Sequence, residues 1–367
     1  MKPIKSIPKI IISGGGTGGH LYPALAIAKE LRNRLKVDIL FVGALGKIEM
    51  QKVPKAHFPI KGLWIGGLSK KWNIFLLPLK IIHSLWKARA IIRSFTPDLV
   101  IGTGGYASAP MMMMAYWYKI PILIQEQNAL AGKVNRFMGR YAQKICVAYE
   151  KAKIYFPAHK THLSGNPIRG DLLTIPSKIE SCKQLGLDPL KPVILSLGGS
   201  QGAQSLNDFW KSHLKTLPDH HIQLIWQVGE KNYPLLKDLL KEVSSSILIL
   251  PFIETMDIAY GAADIIISRA GALSLSELTI VGKPLILVPF PFASGDHQRK
   301  NAKALLDKKA ALMLENHQIK EKLLEEILKL LKNEALREEL SKNSKKFALP
   351  NALDEIIEEC LKLIYPY

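Results

Sequence analysis

An apolar, strand-length run followed at once by a glycine-rich loop and a helical pattern occurs twice in this chain, half of its 367 residues apart. Nothing else in the sequence constrains the fold so tightly. The first copy is Lys9-Ile10-Ile11-Ile12-Ser13 leading into Gly14-Gly15-Gly16-Thr17-Gly18-Gly19-His20. The second is Pro192-Val193-Ile194-Leu195-Ser196-Leu197 leading into Gly198-Gly199-Ser200-Gln201-Gly202-Ala203. Strand, glycine loop and helix together form the unit with which α/β proteins hold a phosphate. Glycine lets the backbone come close, and the N–H groups that open the helix face the anion. Pairing Gly15-Gly16-Thr17 with Gly198-Gly199-Ser200 brings Gly19 onto Gly202, which predicts two similar domains, each opening with its own loop.

The same pairing sets His20 against Ala203, so loop geometry alone does not require the histidine. Two readings stand side by side: a helix-opening residue that water caps, and a general base, since a helix start favours the neutral imidazole. Apolar runs alternate with helical patterns throughout, which predicts α/β architecture with parallel sheets. Strands are expected at 10–13, 38–42, 98–102, 120–124 and 144–147, then at 193–197, 223–228, 247–250, 264–267 and 284–288. Helices are expected at 20–35, 73–94, 108–118 and 131–141, then at 201–216, 233–243, 255–261, 272–281 and 296–308. Beyond Ala311 the pattern is helical only, at 319–331, 334–347 and 353–363. The turn Gly165-Asn166-Pro167 marks the domain junction, giving an N-terminal domain 1–164 and a C-terminal domain 165–347.

Composition narrows the class of partner. A formal net charge of +19 favours an anionic partner: nucleic acid, an anionic membrane surface or a polyanionic substrate. Residues 50–97 contain no acid but nine Lys or Arg, interleaved with Trp64, Trp72, Trp86 and many aliphatics. Basic residues mixed with Trp and Leu over 61–93 suit an interfacial membrane contact; the competing reading is a crossover helix with solvated lysines. No nucleic-acid module is present, and an aliphatic-rich basic surface does not resemble a base-stacking platform. Cys146, Cys182 and Cys360 show no metal or redox spacing and are expected to be reduced thiols of a cytosolic protein. The start of the chain lacks the apolar core of a signal peptide, and no stretch reaches the roughly 18 apolar residues of a membrane span.

Four further segments carry chemistry. Gly104-Gly105-Tyr106-Ala107-Ser108 follows a strand and opens a helix, either as a second anion site or as an ordinary tight turn. Glu126, in Gln125-Glu126-Gln127-Asn128, ends a strand where open α/β sheets direct polar groups into the ligand crevice; Asn128 also suits a helix cap. Glu277, in Arg269-Ala270-Gly271-Ala272-Leu273-Ser274-Leu275-Ser276-Glu277, suits a ribose diol or the helix dipole. Gly295-Asp296-His297-Gln298-Arg299 offers amide and charged groups to sugar hydroxyls. The pattern Gly14-x-Gly16-x-x-Gly19 formally fits a dinucleotide fingerprint, but Asp38 stands at the wrong end of the second strand to hold a ribose. The chain has no Asp-x-Asp pair, so metal and cofactor are expected to be absent and leaving-group charge to be met by helix N-termini and basic residues.

The ordered motifs GGGTGGH, GGYAS, QEQN, GNPIR, GGSQGA, RAGALSLSEL and GDHQ resemble the MurG family of bacterial peptidoglycan glycosyltransferases, over nearly the whole chain. That resemblance implies two Rossmann-like domains facing a cleft (GT-B), with the C-terminal helix of 348–367 packing back on the first domain. It implies an inverting transfer of N-acetylglucosamine from UDP-N-acetylglucosamine to the muramyl 4-hydroxyl of lipid I, forming lipid II. The donor residues would be Ser200, Ala270, Gly271, Ala272, Leu273, Ser274, Leu275, Glu277 for the ribose, Arg169 and the Ile253 backbone for the uracil, and Gln298 for the sugar. Thr17, Gly18, Gly19 and Asn128 would complete that site. Gly14, Gly15, Gly16, Gly104, Gly105 and Tyr106 would take the acceptor diphosphate, with His20 or Glu126 as the base. The family further implies peripheral attachment to the cytoplasmic face of the inner membrane and work alongside cell-wall and division proteins. The tract Met111 to Met114 departs from the family pattern, where smaller residues are common. A transferase with another lipid acceptor, such as diacylglycerol, and a non-catalytic donor-binding scaffold are the alternative readings.

Overall fold

The computed structural model describes residues 7–66, 77–168, 174–199, 202–241 and 246–366. The chain divides into two compact units, residues 1–168 together with 349–367, and residues 169–348. The division falls just past the Gly165-Asn166-Pro167 turn because that turn is tied into the first unit. Gly165 N–H donates to the Val147 carbonyl, and the Asn166 amide binds Gln125 and Gln127.

Unit 1 holds a seven-stranded sheet in the order β3-β2-β1-β4-β5-β6-β7. The strands are β1 (Lys9–Gly14), β2 (Asp38–Ala44), β3 (Ile60–Leu63), β4 (Leu99–Gly104), β5 (Ile122–Glu126), β6 (Lys144–Val147) and β7 (Thr161–Leu163). Its helices are α1 (Gly18–Arg34), α2 (Glu49–Lys55), α3 (Leu77–Phe95), α4 (Ser108–Trp117) and α5 (Lys133–Met138), and α14 (Ala352–Ile364) returns to it from the end of the chain. The unbroken apolar run of β1 follows from its central place, since a parallel strand covered on both faces has no polar side. Ile10 and Ile12 pack under α1 and α14, against Leu21, Ile27, Leu31, Ile356, Ile357 and Cys360. Ile11 packs on the opposite face, against Ala88, Ile91, Met111 and Met112. The methionine tract is therefore core, with Met111, Met112 and Met114 almost wholly buried.

Unit 2 holds a six-stranded sheet in the order β10-β9-β8-β11-β12-β13. The strands are β8 (Val193–Leu197), β9 (Gln223–Gln227), β10 (Ile247–Leu250), β11 (Ile265–Ser268), β12 (Leu285–Leu287) and β13 (Leu312–Met313). The helices are α6 (Lys178–Leu185), α7 (Gln204–His213), α8 (Tyr233–Leu236), α9 (Met256–Ala262), α10 (Ala272–Val281), α11 (His297–Leu306), α12 (Ile319–Lys332) and α13 (Glu334–Lys345). Trp210 and Trp226 are fully buried because each indole N–H finds a partner, Ser196 Oγ at 2.8 Å and Asn207 Oδ1 at 3.0 Å. Strand pairings among the described residues are parallel in both sheets, as the alternating pattern predicts.

The structure adds short elements that periodicity does not reveal. β3, β7 and β13 are edge strands of two to four residues, too short to show an alternation, and α2 carries Pro54 in its last turn. The helix expected at 131–141 is confined to α5 between Gly132 and Gly139, and the one expected at 233–243 is the single turn of α8 continued by a 3-10 helix, Lys237–Lys241.

Candidate active site

In both sheets the strand order reverses beside the strand that carries the glycine loop, between β1 and β4 in unit 1 and between β8 and β11 in unit 2. Open parallel sheets bind ligands at the carboxyl ends of the strands flanking such a reversal. The four loops singled out by sequence, after β1, β4, β8 and β11, stand at these two places.

In unit 1 the loops touch. Gly15 N–H donates to the Gly104 carbonyl at 3.3 Å, and Thr103 Oγ1 donates to the His20 carbonyl at 2.9 Å. Gly104 has φ +99°, and a Cβ there would come within 2.9 Å of His20 Nδ1, so glycine is required twice over at this position. α1 opens at Thr17 with no side-chain cap and no acid in its first turn, which leaves its first N–H groups facing outward. Thr17, Gly19 and Tyr106 are exposed, and Gly18 and His20 are half-buried.

The His20 ring is held from behind by Gln127. His20 Nδ1 lies 2.8 Å from Gln127 Oε1. The orientation of that amide is fixed by its nitrogen, which faces the Thr103 carbonyl at 2.8 Å, the Gln125 carbonyl at 2.9 Å and Gln125 Oε1. A turned amide would set its oxygen against these acceptors. Gln127 Oε1 is therefore the atom turned to His20 Nδ1, and it is an acceptor. The segment Gln125-Glu126-Gln127-Asn128 gives Gln127 no role of its own in the sequence; its position one residue past the end of β5 is the local signal for one.

Glu126 departs from expectation. It does not project into a crevice as a second base: its side chain is fully buried, and both carboxylate oxygens accept hydrogen bonds. Oε1 takes the N–H of Asn128 at 3.0 Å, and Oε2 takes the N–H of Gly132 and the amide of Asn135, each at 2.9 Å. A carboxylate so engaged clamps the turn between β5 and α5. Gly16 also departs from its expected role. Its N–H, assigned to the acceptor diphosphate, donates to Glu49 Oε2 at 2.9 Å, while Glu49 Oε1 takes the Ala44 N–H at 2.9 Å. Glu49 is fully buried at the start of α2, in space left by the missing side chain of Gly15, where a Cβ would strike the carboxylate. The first glycine loop is thus backed by an internal anion that sequence reading did not find.

Unit 2 is backed by a cation. Arg269 donates from Nη1 to the carbonyls of Val288 and Pro289 and to Asn316 Oδ1, and from Nη2 to Ser205 Oγ, at 2.9–3.2 Å. Burial pushes its guanidinium down to about 10, so it remains charged at neutral pH. The contact with Ser205, in the first turn of α7, sets this charge beside the loop after β8. α10 opens at Gly271 with no side-chain cap and no acid in its first turn. Gln298 Oε1 accepts the N–H groups of Ala270 at 3.1 Å and Phe290 at 2.9 Å, which leaves its amide nitrogen as a donor. Glu277 is half-buried and accepts from Tyr260 Oη at 3.4 Å. Leu275, Ala270 and Ile253 have buried side chains and offer ligands only their backbone, whereas Leu273 and Ser274 are half-buried. Arg169 and Ser200 lie outside the described residues. Among the described residues no group of three or more His, Cys, Asp or Glu is placed to hold a metal.

The basic segment forms a surface of unit 1. α3 buries Ser84, Ala88, Ile91 and Ile92, whereas Leu79, Ile81, Ile82 and Trp86 are exposed, Trp86 by 70%. Lys80 Nζ lies 5.4 Å from the centre of the exposed Trp64 ring, and His83 packs edge-on to it. The core face of a solvated crossover helix accounts for the first set and leaves the second unexplained. Gly67, Leu68, Lys70, Lys71 and Trp72 lie outside the described residues. No helix among the described residues is long and apolar enough to cross a membrane.

Comparison with known proteins places these features in a family. Residues 10–147 match the glycosyltransferase family 28 N-terminal domain, and residues 193–356 match the family's C-terminal domain. A protein of Christiangramia forsetii, named UDP-N-acetylglucosamine--N-acetylmuramyl-(pentapeptide) pyrophosphoryl-undecaprenol N-acetylglucosamine transferase, is 45% identical over 97% of this chain and 98% of its own. A protein of the same name from Bacteroides fragilis is 42% identical over 97% of this chain and 95% of its own. The crystal structure of Acinetobacter baumannii MurG superposes with a TM-score of 0.78 at 29% identity, over 97% of this chain and 99% of that one. Likeness at this level over the full length leaves one conclusion: the chain belongs to glycosyltransferase family 28 and, within it, to the MurG family.

Proposed function

We propose that this enzyme transfers N-acetylglucosamine from UDP-N-acetylglucosamine to the 4-hydroxyl of the N-acetylmuramyl-pentapeptide of lipid I, forming lipid II. One coincidence carries the reading. A full-length likeness to transferases of that name accompanies a histidine that stands at the strand-order reversal of unit 1 with Nδ1 turned to an acceptor.

The chemistry follows from the residues. His20 Nε2 takes the proton of the attacking hydroxyl as its oxygen bonds to the anomeric carbon, with inversion, and the bond from that carbon to the UDP oxygen breaks. Charge gathers on the departing diphosphate. Unit 2 meets it with the uncapped N-termini of α7 and α10 and the half-buried Arg269 guanidinium. Glu277 binds the ribose, the Ile253 backbone lies at the uracil and the Gln298 amide nitrogen reads the sugar. Arg169, Ser200, Asn128 and residues 17–19 complete the donor contacts. The acceptor diphosphate is held by the opening N–H groups of α1 and the loop of Gly104, Gly105 and Tyr106, since Glu49 already occupies the Gly16 N–H.

A prenyl-linked acceptor requires the enzyme to work at a membrane, which fits the exposed Trp64, Ile82 and Trp86 amid Lys80, Lys87, Arg89 and Arg93. We assign this surface to the anionic cytoplasmic face of the cell membrane, which places the enzyme in peptidoglycan synthesis and upstream of cell shape and division. Purified enzyme with labelled UDP-N-acetylglucosamine should consume lipid I and ignore diacylglycerol; transfer to diacylglycerol instead would overturn the reading. Reversing Lys80, Lys87, Arg89 and Arg93 to Glu should release the protein from anionic vesicles, at about 1 kcal/mol per basic residue lost. Undiminished vesicle binding would remove this surface from the account.

A further inference from the structure

A histidine serves as a base only through a nitrogen that keeps its lone pair. We propose that Gln127 is the positioning residue that keeps that lone pair on Nε2 of His20. The inference rests on the reading of His20 as the proton acceptor and adds what prepares it for that role.

Gln127 is 1% exposed and has little freedom to turn. Its amide nitrogen is engaged by the Thr103 and Gln125 carbonyls, and its own backbone carbonyl accepts the Asn166 amide at 3.1 Å. Asn166 is held in turn by Gln125 Nε2 at 3.0 Å. The oxygen left over points at His20 Nδ1 and can only accept. The orientation is therefore imposed by three residues, Thr103 of β4, Gln125 of β5 and Asn166 of the turn after β7. The ring lies close over Gly104, where a Cβ would come within 2.9 Å of it, and the Glu126 carboxylate is turned to Asn135 and to the Asn128 and Gly132 N–H groups. Catalytic histidines are often oriented by a carboxylate, which also stabilises the imidazolium. A neutral amide fixes the tautomer and ring angle without adding a charge beside the ring.

The test uses the full-length protein labelled with ¹⁵N-histidine. Long-range ¹H–¹⁵N spectra at mildly alkaline pH report the tautomer of each ring, and the His20 signal is the one lost in His20→Asn. The expected result is a proton on Nδ1 and a bare Nε2 in the unliganded enzyme, and a mixture of tautomers in Gln127→Met. With UDP-N-acetylglucosamine and lipid I, Gln127→Met should lower kcat by at least about 10-fold while the donor KM stays constant. In the His20→Ala background the same change should lower kcat by less than about 2-fold, since the two residues act as one unit.

A proton on Nε2 of wild-type His20 overturns the proposal, and so does an unchanged tautomer in Gln127→Met. A kcat loss that persists in full without His20 overturns it as well, by marking Gln127 as merely structural. Should Gln127→Met not fold, the wild-type tautomer alone decides. An Nδ1–H tautomer in a protein that leaves lipid I untouched would support the assignment of Gln127 and refute the reaction.

Discussion

The two glycine loops share a place in the topology and differ in what lies behind them. The loop after β1 rests on the buried carboxylate of Glu49 and leads to a histidine held by Gln127. The loop after β8 leads to Ala203 at the matching position and neighbours the half-buried guanidinium of Arg269. One scaffold thus carries an anion under one loop and a cation beside the other. A cation at the edge of unit 2 suits a departing diphosphate. In unit 1 the buried Glu49 carboxylate takes the Gly16 N–H, and His20 stands at the start of α1. The lesson is that strand–loop–helix geometry supplies N–H groups for a phosphate, while a buried side chain such as Glu49 can take one of them before any ligand does.

The largest expected effect tests the histidine that only one loop carries. His20→Ala should lower kcat by about 10²–10⁴ with the affinity for UDP nearly unchanged, read by steady-state kinetics and calorimetry. A loss confined to UDP binding would contradict the division of labour between the units.

Arg269→Met comes next. It leaves the Val288 and Pro289 carbonyls without their guanidinium donor, which should destabilise unit 2 by about 1–3 kcal/mol per unsatisfied group. UDP affinity should also fall roughly 10-fold, about 1.4 kcal/mol. Affinity unchanged at equal occupancy would mean that the cation only holds the loops together.

Glu49→Gln is the counterpart in unit 1. An amide nitrogen would then face one of the two backbone donors, Gly16 or Ala44 N–H. Unit 1 should lose roughly 1–3 kcal/mol and the KM for lipid I should rise, with the KM for UDP-N-acetylglucosamine constant. A rise in the donor KM alone would show that the anion serves the other substrate.

The smallest effect reads the units separately through their thiols. Cys146 and Cys360 are buried in unit 1 and Cys182 in unit 2, and burial raises all three. Glu49→Gln should accelerate labelling of the first two only, and Arg269→Met that of Cys182 only. The pH dependence follows from Cys146, which burial pushes up from 9.0 to about 12. Between these values the folded protein keeps a proton that the unfolded chain releases, so stability is lost as pH rises through that window. Urea unfolding should show a loss of roughly 1 kcal/mol by pH 10 from this thiol, absent in Cys146→Ala.

Much of the fold is legible in the sequence because its signals are local. A central parallel strand is apolar without interruption, as in Ile10-Ile11-Ile12, and the glycine spacing after β1 and β8 marks where backbone must come close. The short edge strands β3, β7 and β13 escape because a few residues carry no period. His20, Glu277 and Gln298 are legible as polar residues beside those loops. Glu49, Gln127 and Arg269 are not, because their meaning lies in partners that the chain brings from far away.

By itself the sequence determined two parallel α/β units, the glycine loops that follow their strands, and a histidine present in only one of them. Only the tertiary structure decided which ionised and amide groups are used up inside. Gln127 meets His20 across 107 residues, and Glu49 meets Gly16 across 33. The physical reason is that a buried carboxylate or amide must satisfy its hydrogen bonds wherever the fold offers partners, and those partners are fixed by strand order in space, which local sequence does not record.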